Sequence, residues 1–429
     1  MNKIDPINYV FENDVLSYKS YIKDFTDEIY QEFNEKSEKV DLLSKIDDLF
    51  SGKKVNYTED LAAWHTKLRD ESPVAVGDNK YIELFYSASN IITIGIGGSF
   101  EGPKLLIEAE GNTEKNYVFI TGSDLEEFTE KTEKLDPNET IFIVSSKSFT
   151  TEETIAILNK AITWSGDINK FLAITANKSE AQKYNINNII EFDKEIGGRY
   201  SIWSDISIAA NWENNPEWEN NFIMGGKHAD INLKEDDSYL KFVKTLAFSD
   251  IWLNNFKKKS SRVILSYIWK FRSLPDYFQQ LEMESLGKKS SKQSGFSKTG
   301  QIIFGGYGPK AQHSYFQLLH QGTQNLCADI IACKKNLKSL AYVQAITQAK
   351  LLSNGADDLL KEEEKINGNV PLNLFILNKI DAYTLGYLIA TWEHRTYITA
   401  VMLGINPFDQ FGVSAGKIFT KKYLEEYGG

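Results

Sequence analysis

The sequence predicts an α/β protein built from two doubly wound parallel-sheet units flanked by helices. Three observations predict it. Short apolar runs rich in β-branched residues alternate with stretches of helical periodicity. The runs are apolar throughout rather than at every second residue, as strands covered on both faces require. The length, 429 residues, exceeds one typical core. Taken in order, residues 1–60 read as an N-terminal segment of charged, amphipathic helices, with Leu42, Leu43, Ile46 and Leu49 at helical spacing. Strands follow at Asn90–Ile96, Tyr117–Thr121, Thr140–Ser145, Phe171–Thr175 and Ile189–Phe192, with helical periodicity between them at Pro103–Ala109 and Glu152–Trp164. These make a first α/β unit over residues 61–212. A polar stretch from Trp212 to Asp237 reads as a linker, residues 213–238. The second unit, residues 239–405, has strands near Val263–Tyr267, Gln301–Gly305, Leu326–Ala332 and Leu374–Leu377, and helices at 337–352 and 380–403. Residues 406–429 read as a C-terminal helix, and the Ser/Lys-rich segment Lys288–Gly300 as a mobile loop. Ile91–Gly97 and Ile302–Gly308 echo one another, which hints at two related units.

Composition narrows the function classes. A formal net charge of −11 disfavours a nucleic-acid or anionic-membrane partner, because both would repel the molecule as a whole. A small anion is still allowed where a few cations converge. Cys327 and Cys333 share one apolar run and read as reduced thiols, so a disulfide framework is excluded. The first residues carry charges without an apolar core, and no run approaches the ~18–20 apolar residues of a membrane span. A cytoplasmic protein is expected. His65, His228, His313, His320 and His394 show no metal-ligand spacing, and no metal is expected.

Two loops carry an anion signal. The first strand ends in Gly95-Ile96-Gly97-Gly98-Ser99, and Gly102-Pro103 opens a helix. Glycines let a backbone approach an anion, and helical N-termini offer free N–H groups and a positive dipole end. Phe100 stands where a dinucleotide fingerprint needs glycine, and Gly102-Pro103-Lys104 breaks a Walker loop. The third strand ends in Ser145-Ser146-Lys147-Ser148-Phe149-Thr150-Thr151-Glu152-Glu153-Thr154. Its hydroxyls and lysine exceed what one N-cap needs and suit a phosphate monoester.

At this point a family resemblance covers most of the chain. Thr58-Glu59-Asp60 with His65 and Leu68-Arg69, the two anion loops, Gly197-Gly198-Arg199-Tyr200-Ser201-Ile202-Trp203-Ser204 and Met283-Glu284-Ser285 all resemble motifs of glucose-6-phosphate isomerases. So do Gln312-His313 through His320-Gln321-Gly322-Thr323, and Phe408-Asp409-Gln410 through Gly416-Lys417. The resemblance implies two sugar-isomerase subdomains that interconvert glucose 6-phosphate and fructose 6-phosphate in glycolysis and gluconeogenesis, as a homodimer, without metal or cofactor. It implies that Gly98, Ser99, Ser146, Lys147, Ser148 and Thr151 hold the phosphate, with Gln312 and Gln410 also binding substrate. Arg199 would stabilise the enediolate oxygen and Lys417 would assist at the ring oxygen.

The pattern also breaks. The family's base is a glutamate in a Gly-Glu-Pro-Gly turn, and here that turn reads Gly305-Gly306-Tyr307-Gly308. The family's partner-subunit histidine is missing from Ala332-Cys333-Lys334-Lys335-Asn336. Leu286 replaces an asparagine, and Ser414-Ala415 a Glu-Leu pair. Two readings compete: an isomerase, for this or another phosphosugar, whose base lies elsewhere (Glu284, His313 or Tyr307), or a phosphosugar-binding paralogue that senses or regulates.

Overall fold

The computed structural model of the chain describes residues 8–70, 81, 83–111, 114–208, 216–334, 337–356 and 361–427, without the side chains of Ile208, Pro216, Ser414 and Lys417. It opens with a hairpin where the sequence predicts only helices: β1 (Tyr9–Glu12) pairs antiparallel with β2 (Leu16–Ser20). The signal was brief. Leu16 and Tyr18 turn inward while Ser17 and Lys19 turn outward, an alternation too short to stand out among charged neighbours. Helices Asp27–Lys39 and Leu42–Phe50 then follow as predicted.

The first sheet contains β3 (Asn90–Ile94), β4 (Asn116–Ile120), β5 (Thr140–Ser145), β6 (Phe171–Thr175) and β7 (Asn188–Glu191). Its order is β4-β3-β5-β6-β7 and every pairing is parallel. β3, β5 and β6 are buried at every residue, the physical reason for their unbroken apolar runs. Strand order reverses between β3 and β5, so their carboxyl ends flank the crevice where ligands collect in open α/β sheets.

The second sheet adds β8 (Ser261–Ser266), β9 (Ile302–Tyr307), β10 (Leu326–Cys333) and β11 (Leu372–Leu377) to the hairpin, in the order β1-β2-β11-β10-β8-β9. β8 to β11 are parallel, and β2 closes that edge antiparallel to β11. The two units share a strand order, β4-β3-β5-β6 and β9-β8-β10-β11. The echo between β3 and β9 therefore aligned the wrong strands. β9 takes the place of β4, and the counterpart of β3 is β8, which ends without glycines in Ser266-Tyr267-Ile268. Cys327 and Cys333 lie buried on β10 as thiols.

The polar stretch read as a linker is a helix from Pro216 to Glu235. Its buried positions, Phe222, Gly226, Ala229 and Leu233, recur at helical spacing among polar residues that face outward. It packs tightly on the helix Ala382–Leu403, where a Cβ on Gly386 would lie 1.9 Å from the Phe222 carbonyl. Ala382–Leu403 is almost wholly buried, and its charged residues are paired. Arg395 bridges Asp250 (2.7 and 2.8 Å) and Asp329 (2.9 Å), and Arg262 joins Asp250, Asp329 and Glu282. Arg69 grips Asp230 (2.7 and 2.8 Å) and Glu393, and His394 reaches Asp230 (2.8 Å). Segment 288–300, read as mobile, is tied down. Phe296 is buried, and Asn255 accepts from the backbone of Ser297 and Lys298.

Candidate active site

The two anion loops lie where the sequence places them. β3 runs into the helix Gly98–Glu110, whose N-cap Gly97 has φ +61°. Gly98 is required by close approach: a Cβ there would lie 1.9 Å from the carbonyl oxygen of Gly198. The helix N-terminus thus seats directly against the segment carrying Arg199. After β5, Phe149 is buried with φ +52°, an unusual conformation for a bulky residue that reshapes the turn, and the Ser146 hydroxyl accepts from its amide (3.1 Å). Thr151 is the N-cap of the helix Glu152–Ser165, yet its hydroxyl makes no capping bond. That leaves hydroxyl and helix N-terminus available to one anion. Ser99 is half-buried and Ser148 exposed beside Thr150. Lys147 donates to the Ile196 carbonyl (3.1 Å), and desolvation lowers its pKa below the usual lysine value against the pull of Glu59, Glu195 and Asp193.

Arg199 sits in the short helix Gly198–Trp203 and is 1% exposed. Nε donates to Ser285 Oγ (2.8 Å), and Nη2 to the carbonyls of Pro407 and Asp409 (3.0 Å for the second). Nη1 donates to Gln410 Oε1 (2.8 Å) and lies 3.1 Å from Glu284 Oε2. Its rear is braced. Tyr277 donates to the Arg199 carbonyl (3.2 Å), the Tyr200 hydroxyl lies 3.0 Å from Ser285 Oγ, and His65 stacks on Tyr200 at 4.5 Å. Burial, then Arg69, pushes the His65 pKa down to about 3, so its ring is neutral. With all five N–H groups donated to these acceptors, the guanidinium is held in one plane and offers a fixed positive charge to a developing oxyanion.

The structure therefore brings Gly98, Ser99, Ser146, Lys147, Ser148 and Thr151 to one sheet edge and joins Arg199 to Gln410 beside it. Gln312 stands apart: its Oε1 accepts from Tyr267 (2.9 Å), beyond β8, and no described contact links it to Arg199. Lys417 lies on the helix Phe411–Tyr427, and its side chain is outside the described residues. At Gly306 φ is +151°, and a Cβ there would meet only the Tyr315 hydroxyl, at 4.0 Å. The space for a side chain exists, but the backbone has taken a conformation that favours glycine.

Sequence reading passed over two residues, Gln280 and Lys288. Gln280, one helical turn before Glu284, donates to Glu284 Oε1 (3.4 Å), and its amide nitrogen would lie 2.8 Å from a Cβ placed on Gly97. The i,i+4 spacing to Met283-Glu284-Ser285 was the available signal. Lys288 donates to the carbonyls of Glu284 and Ser285 (both 2.9 Å) and faces Asp409 at 3.7 Å. Desolvation, then Arg199, pulls its pKa down to about 8. Asp409 also accepts from Thr58 (2.8 Å), which ties the N-terminal motif to the loop holding Gln410. Among the described residues no group of three His, Cys, Asp or Glu could hold a metal ion, and no helix is long and apolar enough to cross a membrane.

Comparison with known proteins agrees with this geometry. A glucose-6-phosphate isomerase of Legionella pneumophila is 35% identical over 418 residues, covering 88% of this chain and 83% of its own. One from Shewanella pealeana is 33% identical over 450 residues, covering 90% and 82%. The crystal structure of a glucose-6-phosphate isomerase from Chlamydia trachomatis superposes with a TM-score of 0.85 at 22% identity, covering 98% of this chain and 90% of that one, and so shares the fold. The sequence model of the phosphoglucose isomerase family matches residues 83–428, a span that holds both sheet-edge loops, Arg199 and the loop to Gln410. On these grounds the chain belongs to the phosphoglucose isomerase family.

Proposed function

We propose that the protein interconverts an aldose phosphate and its ketose, with glucose 6-phosphate and fructose 6-phosphate as the pair that its relatives' names indicate. The observation that carries this reading is the fixed Arg199 guanidinium, one nitrogen shared between Gln410 and Glu284, on a segment whose backbone packs against the N-terminus of a phosphate-type loop. Ser99, Ser146, Lys147, Ser148 and Thr151 bind the phosphate, and Gly98 lets the sugar lie close to Arg199. Arg199 then stabilises the enediolate oxygen. Gln410 and Gln312 orient sugar hydroxyls, and Lys417 acts at the ring oxygen. We extend the reading to a cytoplasmic homodimer that works without metal or cofactor.

The test is fructose 6-phosphate conversion by purified protein in a coupled glucose 6-phosphate assay. Turnover is expected, and Arg199→Ala should abolish it. Ser146→Ala with Lys147→Ala should weaken substrate binding by ~10–100-fold, the loss of two or more bonds to a charged group. A single sedimenting species of one chain's mass would remove the dimer from the proposal. A second reading is favoured by Gly306, whose φ of +151° would strain a carboxylate-bearing residue. In it the chain binds phosphosugars without turning them over. Saturable binding with no turnover would decide for that reading.

A further inference from the structure

The family pattern places the proton-moving carboxylate at position 306, where Gly306 has no side chain and φ is +151°. An aldose–ketose exchange still needs a base, and the base must reach the protons on C1 and C2, a bond or two from the oxygen on which charge develops. Arg199 marks that oxygen, so the replacement has to lie next to its guanidinium. Among the described residues Glu284 does. Its Oε2 is 3.1 Å from Nη1, and about a third of its side chain (32%) is exposed. Gln280 steadies its other oxygen while touching the Gly97 turn, so the carboxylate is fixed between the phosphate helix and Arg199. The rivals are placed otherwise. Asp409 meets Arg199 only through its backbone carbonyl and gives its carboxylate to Thr58. Burial and Asp276 push the Glu101 carboxyl up to about 7, yet no described contact joins either acid to Arg199. His313 is exposed, and Tyr307 sets its ring edge-on to Trp269 at 5.3 Å.

We propose that Glu284 is the general base of this chain, a role that rests on the isomerase reading above. Glu284 takes the proton from C2 of the open-chain aldose. The C2–H electron pair becomes the C1=C2 bond, the carbonyl π pair moves onto O1, and Arg199 receives that charge. Return of the proton from Glu284 to C1, with the O2 proton passing to O1, yields the ketose. Nothing is oxidised or reduced overall and no co-reactant is consumed. The charged groups facing Glu284 are Arg199 and, at its own carbonyl, Lys288.

The experiment follows glucose 6-phosphate deuterated at C2 by NMR, with wild type, Glu284→Gln and Glu284→Asp. Glutamine keeps an acceptor for Arg199 but cannot take a proton. The expected result is loss of both deuterium release and turnover by ~10²–10⁴-fold in Glu284→Gln, with melting temperature and fructose 6-phosphate binding unchanged. Glu284→Asp should regain part of the rate with a displaced acid limb in kcat/KM. Turnover in Glu284→Gln within ~10-fold of an active wild type overturns the inference and leaves the isomerase reading standing. An inactive wild type overturns both. Should Glu284→Gln melt early, the aspartate variant decides, because an undisplaced acid limb there excludes Glu284 as the base.

Discussion

Arg199 divides its three nitrogens between two segments, Glu284 and Ser285 at the end of one helix and the loop carrying the carbonyls of residues 407 and 409 and the amide of Gln410. A lysine could supply the charge but not the fork. Arg199→Lys should therefore lower kcat by ~10²–10³-fold while leaving phosphate-dependent binding nearly intact, which steady-state kinetics and calorimetry would separate. Behind it, neutral His65 makes acid stability a reporter of the brace. Its folded pKa is depressed to about 3 from 6.5, so the unfolded chain takes up a proton that the native state refuses. The stability this contributes is complete above pH 6.5 and is lost as pH falls toward 3. Urea unfolding at pH 7, 6, 5 and 4 should show a shallower decline for His65→Phe, which keeps a ring against Tyr200, than for wild type.

The helix Leu274–Leu286 serves two neighbourhoods at once. Gln280, Glu284 and Ser285 reach the crevice, while Glu282 accepts from Trp392 (2.7 Å) and pairs with Arg262 in the core. A shift of this helix would move the sugar end of the site and the ion network together. Its counterpart across the crevice is the helix that starts at Gly98. Gly98→Ala should force that helix off the Gly198 carbonyl and raise KM as well as lower kcat, since phosphate and guanidinium would no longer keep their spacing. The proposed phosphate end could be read in sequence because local devices make it: glycines, hydroxyls and a lysine at strand ends. The sugar end was legible only through resemblance. Arg199, Glu284 and Gln410 are brought together by packing, and no spacing in the chain announces that three segments so far apart converge. Gln280 and Lys288 escaped notice for the same reason.

The whole molecule repeats one strand order, and in the first copy both switch-point strands end in loops rich in glycine or hydroxyl residues, whereas β8 ends in Ser266-Tyr267-Ile268. Parallel sheets, alternating helices and most strand positions were readable from uninterrupted apolar runs. The hairpin β1–β2 and the helix Pro216–Glu235 were not, because their buried residues are few and set among polar ones. The repeat was sensed from the wrong glycines, since topology is conserved by packing and not by short motifs. Between the units the helix Ala382–Leu403 holds the buried charges. Arg395→Met should cost about 3–5 kcal/mol in urea unfolding, because Asp250 and Asp329 would lose their partner in the interior. The guanidinium clasp has a further consequence in the order of synthesis. The proposed phosphate loops have their supporting sheet only once the chain reaches Glu191 and β6 and β7 have closed it, whereas the clasp waits for residues 407–410. On the proposed reading, a chain still emerging from the ribosome holds its phosphate loops long before the clasp that would grip a sugar's reacting carbons exists.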